Sequence, residues 1–403
     1  MRETAADLEA ALAVAPVDER VYTLLAESGV DGDLFNQRQH RCCELVDRYG
    51  LHLAVATAGL LDLAPALAVP RTAAEVAATR GFVRAFHPAL EWLLERLAGA
   101  GFLHRETPAP GGRYRLPRPL PSVSLAPLRD AVLDRDPTYG PTFALLDEAA
   151  AVYPRVARGE TTGEQALFQK VAIWTAYFNN TNPFYALNNR LAAQVAAARL
   201  PAGGGRVLEV GAGLGSGTEA LLGRLQAMGR LALVTAYHVT EPVPFFRRRA
   251  QRALDAAWPA APLRFADLDL NRSWEAQGVP AASVDLVWAV NVFHLARELD
   301  QALEQAFRSL APGGWIVLGE GIRPFPGQVV GAEFPFQLLR SFVEVGTDPE
   351  LRPTHGFLAP EHWVAALGRA GFERPALVPD LFRVREVFSG FFAGVVCGRR
   401  PVG

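Results

Sequence analysis

The spacing of apolar and polar positions changes character near residue 200. Before that point apolar residues recur at helical intervals. "ELVDRYGLHLAVATAGLLDL" (44–63) carries them every three or four positions, the period of a helix that buries one face. "RTAAEVAATRG" (71–81) opens with Thr72 and Glu75, three apart, so each side chain reaches the other's otherwise unbonded amide and a helix is predicted to start there. "HPALEWLLERLAGAG" (87–101) reads as a third amphipathic helix, closed by Gly99 and Gly101. "FLHRET" and "RYRL" flank "PAPGG", which predicts two strands joined by a Pro/Gly turn. "LPRPLPSVSLAP" (116–127) is a proline-rich linker, and 128–200 returns to helical spacing, including "YFNNTNPFYALNNRLAAQV".

From Arg206 onward short apolar runs alternate with amphipathic ones. "RVLEV" precedes "TEALLGRLQAMG", and "LALVTAYHVTE" precedes "PFFRRRAQRALDAA". "LRFADLDL", "VDLVWAVNVFH" and "GWIVLGEG" are further apolar runs, with "ELDQALEQAFRSLAPGG" between the last two. Such alternation predicts an α/β fold, a parallel sheet covered by helices on both faces. "ALVPD" and "FFAGVVCGRR" are expected to add an antiparallel edge. Three regions are therefore expected: a mainly helical 1–125, a helical linker and covering segment 126–200, and an α/β domain 201–403. Residues 323–362, rich in Phe and Pro, are long for a plain connection and are expected to form a lid or acceptor wall.

Three helices followed by a hairpin resemble a winged helix. One that reads DNA needs cationic contacts to phosphate, but here the third helix is flanked by Glu91 and Glu95 and no basic run surrounds it. A dimerisation or substrate-covering module is expected instead, with a homodimer as one option. The net charge of −2 and pI near 6.5 give no electrostatic reason for nucleic acid or an anionic membrane as partner. Cys42, Cys43 and Cys397 form neither a disulfide framework nor a zinc spacing. The N-terminal "MRETAADLEAALAVAPVDER" is too interrupted by charge for a signal peptide, and no apolar run is long enough to span a bilayer. A cytoplasmic location is expected.

Candidate chemistry begins at "EVGAGLGSG", where Glu209, Gly211, Gly213 and Gly215 alternate between an apolar run and a helix. Glycines at such a bend permit positive φ and let a ligand lie against bare backbone. A P-loop is excluded because no Gly-Lys pair exists. The dinucleotide spacing fits only from Gly215 through Gly217 to Ala220, too late after the strand, which weakens a dehydrogenase reading.

The order Glu-x-Gly-x-Gly-x-Gly resembles the motif of class I S-adenosylmethionine-dependent methyltransferases. The resemblance continues through Glu241 at the second strand end, "LDL" after the third, Asp285 opening the fourth, and "LAPGGWIVL" leading into the fifth. It implies a Rossmann-like sheet with S-adenosyl-L-methionine as cofactor. The implied contacts are Glu209, Gly211, Gly213 and Gly215 at the bend, and Glu241 on the ribose hydroxyls. Asp269, with Asp267 as the alternative, and Leu270 lie toward the adenine, and Asn291 follows the fourth strand.

His294 ends the fourth strand and Glu320 the fifth, on the rim where open α/β sheets bind ligands. A carboxylate beside an imidazole fixes its tautomer and stabilises its cation, so the pair reads as a general base and its orienter. "YHVTEPVPFFRRRA", "LDLNRSWEAQG" and "NVFHLARELDQAL" resemble the C-methyltransferase domains of polyketide synthases, whose His and Glu deprotonate the α-carbon of a β-ketoacyl thioester. Glu241 and Phe293 stand where that family usually has Asp and Leu. The N-terminal half resembles the winged-helix domain of small-molecule O-methyltransferases, which use a similarly placed His on a phenol or enol. The acceptor atom is thus open between carbon and oxygen, and the implied partner is a polyketide-like molecule, free or bound to an acyl carrier. Tyr185, Phe336, Gln337 and His355 are the substrate candidates, with Phe334 and Phe342 as further lining and Asn182 as an alternative to Tyr185. Gln337 would be one ligand of a metal beside His294, but no recognisable set completes it, and no metal is expected. A non-catalytic regulator is the remote alternative.

Overall fold

The apolar stripes of the first half become helices Gln37–Leu60, Ala73–Arg80 and His87–Gly99 in the computed structural model, which describes residues 5–106 and 111–402. The predicted cap at Thr72 forms: its amide donates to Glu75 Oε2 at 2.8 Å, and the Glu75 amide donates to Thr72 Oγ1 at 3.2 Å. Strands β1 (His104–Arg105) and β2 (Tyr114–Arg115) pair antiparallel. Residues 107–110 of the expected turn lie outside the described residues. Glu95 of the third helix is buried, accepting from the Tyr114 hydroxyl and, at 2.5 Å, from Arg105. Glu91 accepts from the Gly111 amide at 2.9 Å. Both carboxylates thus fasten the hairpin to the helix.

The second half forms a seven-stranded sheet from β3 (Gly205–Val210), β4 (Val234–Thr240), β5 (Leu263–Ala266), β6 (Val284–Val290), β7 (Leu310–Gly321), β8 (Glu373–Val378) and β9 (Ala393–Arg399). Their order across the sheet is β5-β4-β3-β6-β7-β9-β8. β3 to β7 run parallel, and β9 is antiparallel to both β7 and β8, forming the late edge. The central strands are buried on both faces, with Val207, Leu208, Leu286, Val287, Trp288, Val317 and Leu318 almost wholly inaccessible. The order reverses between β3 and β6, which opens a crevice at their carboxyl ends.

The chain divides into two compact units, and the division is not linear. One comprises 1–17, 37–177 and 327–344; the other comprises 18–36, 178–326 and 345–403. The expected lid at 323–362 is therefore shared. Its 327–344 stretch is anchored in the helical unit, where Trp92 Nε1 donates to Glu333 Oε2 at 2.9 Å and Phe334 stacks on Tyr153 at 4.7 Å. Residues 18–36 join the sheet unit through Glu27, bonded to Arg383 at 2.6 Å, and through Phe35, edge-on to Phe391 at 5.0 Å. Helix Pro183–Arg199, placed in the linker by its sequence, belongs to the sheet unit as well. Among the described residues no helix is long and apolar enough to cross a membrane.

Candidate active site

Gly211, Gly213 and Gly215 all adopt positive φ, at 68°, 56° and 86°, which turns the chain from β3 into helix Ser216–Ala227. Each has a different neighbourhood. A Cβ on Gly211 would stand 2.7 Å from a Val292 methyl, and one on Gly215 2.8 Å from Leu254 Cδ1. A Cβ on Gly213 would meet nothing within 4 Å. Two outer glycines are needed for packing, while the middle one keeps a space open.

Glu209 lies beneath this bend. Its carboxylate is buried and accepts from Thr218 Oγ1 at 2.6 Å and from the Tyr237 hydroxyl at 2.8 Å. Trp288 Nε1 in turn donates to Tyr237 at 2.8 Å, so β3, β4, β6 and the following helix are tied around one side chain. Burial pushes the Glu209 carboxyl up to about 7, against the lowering effect of its hydrogen bonds. A raised folded-state pKa favours the protonated fold, so stability from this group is fully present below about pH 4 and lost as pH rises through about 7. The loss is on the order of 3 kcal/mol. Glu209→Gln is expected to remove this dependence. Urea denaturation of both proteins from pH 4 to 8 checks it, and parallel stability curves would contradict it.

Glu241 follows β4. Its buried carboxylate accepts from the Gly213 amide at 2.9 Å and the Val243 amide at 2.8 Å, joining the two loops at this corner. Burial raises its pKa, opposed by those amides. Tyr185, on helix Pro183–Arg199, packs edge-on to Phe178 at 5.2 Å. Burial pushes its phenol up to about 12; an Asn189 hydrogen bond lowers it, and the charges of Glu209 and Glu241 raise it further. Asn182 is buried at the cap of the same helix. After β5, Asp269 is fixed by a two-way bond with Gln277: its amide donates to Oε1 at 2.8 Å and its carbonyl accepts from Nε2 at 3.0 Å. Leu270 is buried beside it, while Asp267 is exposed.

β6 is followed by Asn291, a non-glycine residue with φ of 57°. Its Oδ1 accepts from the Gly321 amide and from Asn188 Nδ2, each at 3.0 Å, so it bridges β7 and helix Pro183–Arg199. The chain then makes the short turn Phe293–Leu295, which carries His294. Glu320, fully buried near the end of β7, accepts from the Phe293 amide at 2.9 Å through Oε1 and stands 2.6 Å from His294 Nδ1 through Oε2. With the carboxylate ionised, Nδ1 holds the proton and Nε2 is the basic atom. His294 is itself 4% exposed, with the Phe357 ring edge-on at 5.1 Å.

His355 lies in the sheet unit, where its carbonyl accepts from Arg323 at 3.0 Å. Phe336 and Gln337 belong to the helical unit. Phe336 there neighbours Trp174, Tyr177 and Phe342, and Gln337 is buried. Asn188 and Phe357 were not singled out in the sequence. The doubled asparagine in "ALNNR" was the only visible sign of the first, and Phe357 resembled any other lid aromatic. Among the described residues no group of three or more His, Cys, Asp or Glu is placed to hold a metal ion.

Residues 208–316 match the family described as "Methyltransferase domain". The chain carries a methyltransferase domain. Its sequence relatives include polyketide synthases. It is 29% identical over 311 residues to a non-reducing polyketide synthase, dpmpA, of Macrophomina phaseolina (strain MS6), covering 74% of this chain and 13% of the synthase. It thus spans only a small part of that relative. Among solved structures it is similar to the CurJ carbon methyltransferase, with a TM-score of 0.76, 23% identity, and coverage of 95% of this chain and 96% of that one. The trans-methyltransferase CalH in complex with SAH gives a TM-score of 0.61 at 18% identity, covering 90% of this chain and 91% of CalH. Both likenesses are likenesses of fold.

Proposed function

We propose that the methyltransferase methylates the carbon α to a carbonyl in a polyketide-like thioester, with His294 as general base. The observation that carries this reading is the 2.6 Å contact between His294 and Glu320 at the ends of adjacent parallel strands. A buried carboxylate bound to Nδ1 makes Nε2 basic and holds the cation that forms when it takes a proton. The α-hydrogen of a β-ketoacyl thioester is acidic enough for such a base, and the low-dielectric surroundings strengthen the His294–Glu320 interaction.

The donor supplies an electrophilic methyl group on a sulfonium. The residues at the bend fit it without a phosphate seat. Gly213 leaves open space, and its amide is tied to Glu241, the acidic group suited to ribose hydroxyls. Glu209 acts through the bend, holding its shape from beneath. Asp269 and Leu270 border the adenine, Asn291 fixes the end of β6, and Tyr185 covers the corner. His355 contributes to the acceptor side within the sheet unit, whereas Phe336 and Gln337 lie in the helical unit. Fixing donor and acceptor in line supplies much of the rate.

The likeness to CurJ over nearly the whole chain supports carbon as acceptor. The same base would serve a phenol or enol oxygen, and the product distinguishes them. With donor carrying a ¹³C-methyl group and a β-ketoacyl thioester, the labelled methyl is expected to couple to a single α-hydrogen in the proton spectrum. An uncoupled methoxy signal would overturn the carbon assignment.

A further inference from the structure

We propose that Arg352 is a positioning residue for the base, its guanidinium fixing the turn that carries His294 by bonding to the carbonyls of His294 and of Ala296, which caps that turn. The inference rests on the reading of His294 as the base. Arg352 is 2% exposed, donates through Nη1 to the Ala296 carbonyl at 2.5 Å, and donates through Nη2 to the carbonyl of His294 itself. Its own backbone is held by reciprocal bonds with Asp348, 2.8 Å from its amide and 2.9 Å to its carbonyl. The Asp348 side chain accepts from the Glu350 and Leu351 amides at 2.9 and 2.8 Å. The arginine therefore projects from a braced turn.

The arrangement is an unusual use of a buried cation. Arg352 makes no ion pair among the described residues, and its Nε is buried without a hydrogen-bond partner. Burying a charge in this way opposes folding. Simple packing would be better served by an apolar side chain of the same volume. What an apolar residue lacks is a rigid fork able to hold two carbonyls at once. The turn has need of it: residues 293–295 make a single short turn, and a base misplaced by about 1 Å loses on the order of 100-fold in rate. Glu320 secures the amide side of this turn through Phe293, and Arg352 secures the carbonyl side.

Burial pulls Arg352 down to about 10, opposed by Glu320 and Glu298, so it stays cationic at neutral pH. Glu320 on β7 and Glu298 before helix Leu299–Ser309 act on Arg352 by charge, Arg297 directly follows the turn, Arg323 follows β7, and Asp348, Glu350 and His355 share the segment of Arg352 itself. Removing the arginine takes away the cation bonded directly to the turn, so the imidazole should hold its proton more tightly.

Arg352→Met preserves volume while removing the fork and the charge. Expected results are a fall in kcat of about 10- to 100-fold, little change in KM for a thioester acceptor or in the Kd for S-adenosylmethionine, and an acid limb of the kcat–pH profile about one unit higher. A folded variant with wild-type kcat and an unmoved limb overturns the inference. So does a variant whose kcat falls only in step with donor affinity and melting temperature, because that is a general structural role. If the methionine variant does not fold, Arg352→Lys tests the fork alone: one ammonium cannot span both carbonyls but keeps the charge, so kcat should fall by a similar factor with the acid limb unmoved, and a wild-type kcat overturns the inference. His294→Ala measured alongside separates the two ideas. Turnover retained there removes the base reading and this inference with it; turnover lost there, with Arg352→Met unaffected, removes this inference alone.

Discussion

His294→Ala is expected to lower methyl transfer by about 10²- to 10⁴-fold, the usual contribution of a positioned proton acceptor. Its affinity for S-adenosylmethionine should change little, because Gly211, Gly213 and Glu241, proposed above for the donor, remain. The substitution truncates a side chain at the end of β6 and leaves Glu320 bonded to the Phe293 amide, so the turn keeps one of its holds. Kcat and kcat/KM should fall together, the mark of an interaction made in the transition state. Single-turnover transfer of labelled methyl, with calorimetric titration of the donor, measures both quantities. Near-normal transfer would remove His294 from the chemistry.

The second large effect concerns the glycines, which should fail in different ways. Gly211→Ala forces a side chain into left-handed backbone and against Val292. Backbone strain of about 1–2 kcal/mol and overpacking of about 1–3 kcal/mol give an expected destabilisation of about 2–5 kcal/mol. Gly213→Ala carries the strain but meets no neighbour within 4 Å. It should cost only about 1–2 kcal/mol of stability and yet weaken the donor by about tenfold or more, since the new methyl enters the space assigned to it. Urea denaturation ranks the stabilities and calorimetry ranks the affinities. A Gly213→Ala protein that binds donor like the wild type would show that the space serves something else.

How much of this could be read from the sequence depended on how local each constraint was. The bend at 211–215 was legible because positive φ is a property of single residues and glycine announces it. The pairing of His294 with Glu320 was legible because strand ends in a parallel sheet share one rim, so two residues 26 apart could be placed together by topology. The cap at Thr72 was visible from spacing alone. Arg352 was not, for nothing in "ELRPTHGF" reveals a buried guanidinium; its role exists only once the 348–352 turn meets the 293–296 turn. The division of 323–362 was hidden for a similar reason. Phe334 and Phe357 look alike in sequence, but one stacks on Tyr153 in the helical unit and the other packs edge-on to His294.

The interleaving of the two units bears on how such a protein is inherited. The polypeptide passes between them at 17/18, 36/37, 177/178, 326/327 and 344/345, so no single cut separates one from the other. A recombination at 177/178, for example, would strand pieces of both, Phe35 without Phe391 and Phe334 without Tyr153. Exchange of either half among relatives would need several matched splices at once, and the two are therefore bound to diverge as one heritable block.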